Sequence, residues 1–185
     1  MEALVPALIA ALVAGVGDRP AMIAARIGDR YRGRWAIVTL VVAHAAAAAI
    51  AVTGAWVVAP LLTANARALL LALALIAGGV GALLRAGPPR VERCTGGRAT
   101  TFVAMIGAAL GDRTTFITFA LAVRGPEPTL AGIGATIGAV VLGVAAVTLG
   151  ERGWRALPLP ALSILGGALL VGVGIVTGLA GLRLI

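Results

Sequence analysis

The sequence predicts an all-α, polytopic membrane protein with six transmembrane helices. Hydrophobic residues fill 61% of its 185 positions, charged residues fill only 12%, and glycine occurs 26 times. Soluble domains carry about 25% charged residues, and a helix needs about 20 mainly apolar residues to cross a bilayer. Six runs meet this length: residues 4–28, 35–60, 66–85, 99–123, 128–150 and 157–182. They lack the alternating pattern of barrel strands, so they predict helices.

The first three runs and the last three are related to each other. Shifting the chain by 94 residues superposes Asp18 on Asp112 and Arg19 on Arg113. The same shift places the second run on the fifth and the third on the sixth, so each half is one unit of three helices. Because three is odd, the second unit enters the membrane from the side opposite the first. The sequence therefore predicts two inverted three-helix repeats.

The repeats define the expected organisation of the chain. The first repeat covers residues 1–85, a linker loop covers 86–98, and the second repeat covers 99–185. Pro and Gly residues in the linker favour a loop. We expect the two repeats to form one membrane domain, with no part left over for a soluble domain.

The distribution of arginine predicts the orientation in the membrane. Ten arginines lie near or after the ends of the first, third and fifth runs, and three lie on the other face. Cytoplasmic loops are enriched in positive charge. The amino terminus is therefore expected outside and the 86–98 loop, with Cys94, in the cytoplasm. For a bacterial protein, this would be the inner membrane.

Two charged pairs are predicted near the middle of the membrane. Asp112 and Arg113 lie near the centre of the fourth run, and the repeat gives Asp18 and Arg19 the same depth. Ionisable groups are costly there and by default indicate a functional site. Symmetry favours reciprocal pairs between the repeats, Asp18 with Arg113 and Asp112 with Arg19. The alternative is that these pairs only hold the two halves together.

The same segments are expected to contain helix breaks. Proline lacks a backbone donor and crowds the preceding turn, and glycine adds flexibility. The predicted break positions are Gly17, Pro20 and Gly111.

His44 lies about ten residues into the second run and is the single histidine of the sequence. Imidazole titrates near neutral pH, which makes His44 the candidate proton carrier. A neutral imidazole bonded to a helix carbonyl is the alternative. The two interpretations stay open at this point.

The duplicated Gly-Asp-Arg segments resemble the motif of the Golgi calcium/manganese cation–proton exchanger family, Glu-x-Gly-Asp-Lys/Arg-Ser/Thr, which occurs once in each half of those proteins. The matching residues are Gly17, Asp18 and Arg19 in one half and Gly111, Asp112, Arg113 and Thr114 in the other. The resemblance implies a six-helix fold and exchange of manganese or calcium against protons, with acidic motif residues binding the ion.

This sequence departs from the family motif at its glutamates. Gly15 and Ala109 stand at the two glutamate positions, and Pro20 replaces the first Ser/Thr. Hard divalent cations bind about six oxygen ligands. The expected site is therefore a weak one, in which Asp18 and Asp112 are helped by Thr114, Thr115, backbone carbonyls and water.

The sequence thus predicts a secondary transporter with a divergent site. Two alternatives remain: a non-transporting structural or regulatory partner of another membrane protein, and a transporter of an anion or neutral solute. No nucleophile–base pair or phosphate-binding loop indicates an enzyme, and no cofactor is expected. The expected partners are the lipid bilayer, the transported ion and protons, without nucleic acid. The oligomeric state stays open, including a homo-oligomer.

Overall fold

A computed structural model describes residues 3–31, 34–84 and 97–184, and helices account for nearly all of them. The helices are α1 (Leu4–Gly15), α2 (Arg19–Arg30), α3 (Arg34–Val58), α4 (Ala64–Leu84), α5 (Arg98–Leu110), α6 (Arg113–Arg124), α7 (Pro128–Ala156) and α8 (Leu159–Gly181). A short 3-10 turn, Ala59–Leu61, extends α3. The described ranges contain no strand. This confirms the predicted all-α, polytopic membrane class.

Four helical segments are long and apolar enough to cross a membrane: Arg34–Leu61, Ala64–Leu84, Pro128–Ala156 and Leu159–Gly181. Two bent pairs raise the number to six if each pair is one span. The first pair is α1 with α2, bent by 73°, and the second is α5 with α6, bent by 50°. The observed segments follow the six predicted runs closely, except that α7 continues past residue 150.

The longer α7 changes the position expected for two arginines. Arg152 and Arg155 were predicted in a loop but lie in the last part of α7, beyond a kink at Gly150. Gly150 has a φ of +67°, a left-handed conformation that L-residues rarely adopt. The Asp29 carboxylate accepts the Glu151 N–H at 2.9 Å and restarts the helix after the kink. The sequence around Gly150 contains no sign of this distant partner.

The arginine-rich segments gather at one end of the bundle, here called the Arg-rich end. Arg26, near the end of α2, pairs with Glu151 at 3.1 Å. The guanidinium of Arg98, at the start of α5, lies 5.9 Å from the ring centres of Tyr31 and Trp35. The end of α2 and the starts of α3 and α5 therefore lie together, as the predicted topology requires. Cys94 and most of the linker lie outside the described residues. Which side of the membrane this end faces stays a prediction.

Many small residues lie in the interior, and large apolar residues cover much of the outside. Ala14, Ala43 and Ala120 are fully buried, whereas Leu73 and Leu165 are 61% and 68% exposed. This is the reverse of a soluble core, and it suits a bundle whose outer surface contacts lipid. Small residues let helix backbones approach closely. At the contact of α4 with α8, a Cβ added to Gly79 would lie 2.6 Å from the Gly167 carbonyl oxygen.

Candidate functional site

Both predicted aspartates lie where a membrane span is broken. Asp18 is the residue before α2 and Asp112 the residue before α6, and both have extended backbones. The break before Asp18 includes Gly17, whose φ of +79° is left-handed. Pro20 occupies the second position of α2, where its missing N–H has no helical partner to lose. The break before Asp112 includes Gly111 and contains no left-handed residue. This is consistent with the smaller bend between α5 and α6.

Arg113 joins the two breaks. Its Nε lies 2.7 Å from the Asp18 Oδ2 and donates to the Ala14 carbonyl at 2.8 Å. Its Nη2 donates to the Val16 carbonyl at 3.3 Å. The guanidinium, which begins α6, thus satisfies the carbonyl groups freed at the end of α1. One of the two predicted reciprocal pairs, Asp18 with Arg113, is present as an ion pair.

The other arginine behaves differently. Arg19 is exposed and forms no ion pair shorter than 4.0 Å within the part of the chain that the structure describes. It lines a cavity of about 410 Å³ together with Asp18, Asp112 and Arg113. That cavity extends to Leu84, the last residue of α4, so it reaches the aspartates from the Arg-rich end.

The two aspartates come together across the halves. Asp18 comes from one half and Asp112 from the other, and both line the cavity of about 410 Å³. Both aspartates and His44 also line a small cavity of about 20 Å³, enough for about one water-sized group. The two carboxyl groups therefore lie next to a place for one small ligand.

The position of His44, in α3, agrees with both interpretations of this residue: a proton carrier and a neutral imidazole bonded to a helix carbonyl. Its Nδ1 lies 2.9 Å from the Leu40 carbonyl oxygen. Because a carbonyl only accepts, Nδ1 must carry the hydrogen, which leaves Nε2 of the neutral ring with a lone pair. The side chain also lines the small cavity with Asp18 and Asp112. The imidazole is thus anchored to its own helix and still faces the cavity.

A second small cavity lies beside Asp112 and is lined by hydroxyl groups. Thr114, Thr115, Thr118 and Thr136 surround it together with His44. Thr114 and Thr115 belong to the predicted site, whereas Thr118 and Thr136 were missed. Thr118 could have been found, because it lies four residues after Thr114 and therefore on the same face of α6. Thr136 comes from α7, and only the packing of the helices reveals it.

The site contains no preformed metal centre. Among the residues that the structure describes, no group of three or more His, Cys, Asp or Glu side chains is arranged to hold a metal ion. A cation bound at Asp18 and Asp112 would therefore need hydroxyl groups, backbone carbonyls or water to complete its shell.

A larger cavity of about 600 Å³ lies away from the aspartates. It is lined mainly by apolar residues of α1, α4, α6 and α8, and Arg124 lies at the end opposite the Arg-rich one. Neither Asp18 nor Asp112 lines it. Buried apolar side chains, including Ala14, Leu75 and Ile117, pack between α1, α4 and α6 at the depth of the aspartates.

Broken spans, a partly buried acidic pair at the contact of the two halves and a cavity that reaches this pair are features of membrane transporters. Residues 98–183, from α5 to α8, match the family model of the divalent cation/proton antiporter GDT1. The second half of the chain thus carries the signature of this antiporter family, which confirms the resemblance found in the motifs. These proteins are transporters rather than enzymes. Neither a curated protein nor a solved structure matches the chain.

Proposed function

We propose that this protein exchanges a divalent cation, manganese or calcium, for protons, and that Asp18 and Asp112 bind the cation. The observation that carries the proposal is that both carboxyl groups line the same two cavities. With Arg113 paired to Asp18, the three side chains have a formal net charge of minus one when both acids are ionised. Such a site attracts a cation, and it can take up protons when the cation leaves.

The loss of both family glutamates is compatible with this function. At Gly15, an added Cβ would lie 2.8 Å from Leu142, so the space of one missing side chain is filled. At Ala109, the backbone carbonyl accepts the Thr115 hydroxyl at 2.7 Å. Polar groups thus remain around Asp112, while the number of carboxylates falls. We expect binding weaker than a site with four carboxylates would give.

His44 is the proposed proton carrier. Its Nε2 lone pair can accept a proton next to the acidic pair, and its Nδ1 bond to Leu40 holds the ring in place. A proton on His44 would repel a cation bound at the aspartates. Proton binding and cation binding would therefore oppose each other, which is what exchange requires.

The two alternative functions find less support. A purely structural pair needs no cavity, yet one of about 410 Å³ leads to Asp18 and Asp112 from the Arg-rich end. An anion would need free positive charge at the acidic pair. Arg113 is already bonded to Asp18 and to two carbonyl groups, so Arg19 is the one unpaired arginine of the described residues that lines the cavity, and it does so beside two carboxylates.

Ion flux into proteoliposomes tests the proposal. We expect the wild-type protein to move manganese or calcium when a pH gradient is imposed, and Asp112→Asn and Asp18→Asn to lose the flux. Glu127→Gln is the matched control, because it removes a carboxylate from the α6–α7 connection and should leave the flux unchanged. His44→Gln should retain the fold and lose the dependence on the pH gradient. If vesicles with the wild-type protein show no cation flux, the result supports the structural alternative. Flux of anions alone would support a transporter of an anion or neutral solute.

A further inference from the structure

We propose that His44, Thr118 and Thr136 form a second cation-binding position beside Asp112, which selects a divalent first-row transition-metal ion such as manganese over calcium. The proposal rests on the exchange function above and specifies its ligand. The small hydroxyl-lined cavity is its structural basis. That cavity has a volume of about 10 Å³, close to the space of one water-sized group.

Two hydroxyl groups of this cavity already donate their hydrogens to backbone carbonyls. Thr118 Oγ1 donates to the Thr114 carbonyl at 2.7 Å, and Thr136 Oγ1 donates to the Gly132 carbonyl at 2.8 Å. A hydroxyl has one hydrogen and two lone pairs. Each of these oxygens can therefore offer only lone pairs to a group in the cavity.

The remaining polar groups point to the same kind of ligand. Thr115 Oγ1 donates to the Ala109 carbonyl, and the Nδ1 hydrogen of His44 is used by Leu40. Thr114 is 7% exposed, and its Oγ1 has no hydrogen-bond partner within the described part of the chain. A buried hydroxyl without a partner costs free energy unless a ligand satisfies it. Apart from the Thr114 hydroxyl, which keeps its hydrogen, the polar groups of the cavity offer lone pairs or a carboxylate, and this set suits a cation better than an anion.

The position lies on the route away from the Arg-rich end. α3 and α6 both run from the Asp112 level toward the opposite end, so Ala48 and Thr118 lie beyond His44 and Asp112 in that direction. The cavity of about 410 Å³ approaches Asp112 from the other side. The larger apolar cavity offers no acidic side chain and would leave an ion without ligands. The hydroxyl-lined position is therefore the better path for a cation to the opposite end.

The imidazole gives the position its selectivity. Calcium binds through oxygen ligands, usually six to eight of them. An imidazole nitrogen raises the affinity of a site for first-row divalent metals, in an order in which manganese is the weakest. The Nε2 lone pair can hold either a proton or a metal ion, never both. Asp18 and Asp112 are the other titratable groups facing His44 from the neighbouring helices. This one nitrogen would then distinguish the transition metal from calcium.

Spin-echo electron paramagnetic resonance of bound Mn²⁺ tests the nitrogen ligand directly. The sequence contains one histidine, so protein prepared without a histidine tag has one imidazole that could bind manganese. We expect modulation from a directly bound ¹⁴N nucleus in the wild-type protein and its loss in His44→Gln. Bound manganese without nitrogen modulation in the wild type would overturn the proposal.

Transport by hydroxyl variants tests the position as a whole. Thr118→Val and Thr136→Val keep the side-chain shape, and each should lower manganese flux about tenfold, the effect of one lost hydrogen bond to a charged group. Thr136→Ser should restore it. Thr53→Val is the matched control, because the Thr53 hydroxyl makes the same kind of bond, to Ala49 at 2.8 Å, on the exposed face of α3. His44→Gln should lower the ratio of manganese to calcium flux.

The outcomes separate this proposal from the proposed function. If Asp112→Asn abolishes flux but the threonine and His44 variants keep wild-type flux and selectivity, the second position is wrong and the exchange function stands. If the wild-type protein moves no cation, both are wrong. Loss of flux in Thr136→Val without rescue by Thr136→Ser would indicate a packing defect and would contradict a ligand role.

Discussion

Replacing Arg113 with Gln should destabilise the protein more than replacing Asp18 with Asn, although both changes break the same ion pair. The structure gives the reason. Without Arg113, the Asp18 carboxylate loses its partner at 2.7 Å, and the Ala14 and Val16 carbonyls lose their donor. Without the Asp18 charge, the guanidinium still has both carbonyls.

The magnitudes follow from these contacts. Stranding one partner of a buried ion pair costs about 3 to 5 kcal/mol, and each unsatisfied buried acceptor adds about 1 to 3 kcal/mol. The side chains of Arg113 and Asp18 are 14% and 18% exposed, which favours the low end of both ranges. We expect a loss of about 5 kcal/mol for Arg113→Gln and about 2 to 3 kcal/mol for Asp18→Asn. The double variant should lose about 2 to 3 kcal/mol, less than Arg113→Gln alone, because removing the Asp18 charge also removes the stranded carboxylate and leaves only the two carbonyls without their donor.

Unfolding in mixed micelles with increasing dodecyl sulfate, followed by tryptophan fluorescence, measures these differences. Arg67→Gln is the matched control, because Arg67 donates to the Ala59 and Leu62 carbonyls at 2.7 and 3.2 Å and forms no ion pair in the described part of the chain. Arg67→Gln should lower the free energy of unfolding only by the cost of leaving these two carbonyls without a donor. Additive effects of the two site variants, or a larger loss for Asp18→Asn, would refute the reasoning.

Three further predictions concern other parts of the molecule. Gly150→Ala should lower stability by at least about 1 to 2 kcal/mol, because of its left-handed φ, and the new Cβ would also meet the Asp29 carboxylate; unchanged dodecyl sulfate unfolding would contradict this. A membrane-impermeant maleimide added to spheroplasts should label Cys94 only after permeabilisation; labelling from outside would reverse the predicted orientation. The apparent affinity for manganese should rise with pH because protons compete for the site, and His44→Gln should flatten this dependence; an equally steep profile in the variant would exclude His44 as the carrier.

The sequence was sufficient for the fold class and for the approximate helix bounds. Long apolar runs have few structural solutions in a bilayer, so composition alone identifies helical spans. The duplicated motif also located the residues of the candidate site. Asp18 and Asp112 were expected at equivalent positions, and each stands directly before the second helix of a broken span.

Other features depended on partners far away in the chain. The continuation of α7 needs the Asp29 carboxylate, which lies more than one hundred residues from Glu151. The roles of Arg19 and Arg113 differ although their motifs match, because only Arg113 faces the open end of the other half's first helix. Thr136 reaches Asp112 through helix packing that no local pattern encodes.

The glycine contact between α4 and α8 has a consequence for motion. At Gly79 and Gly167 the two backbones touch without an intervening side chain, so no change of rotamer could let one helix slide along the other. A shear movement is a small slide of one packed helix along another, and the close backbone contact at Gly79 and Gly167 leaves little room for it. The helices α4 and α8 should therefore move together as one rigid unit. A change from access at one end to access at the other would then be a hinge movement, centred on the Val16–Gly17 backbone where α1 meets α2.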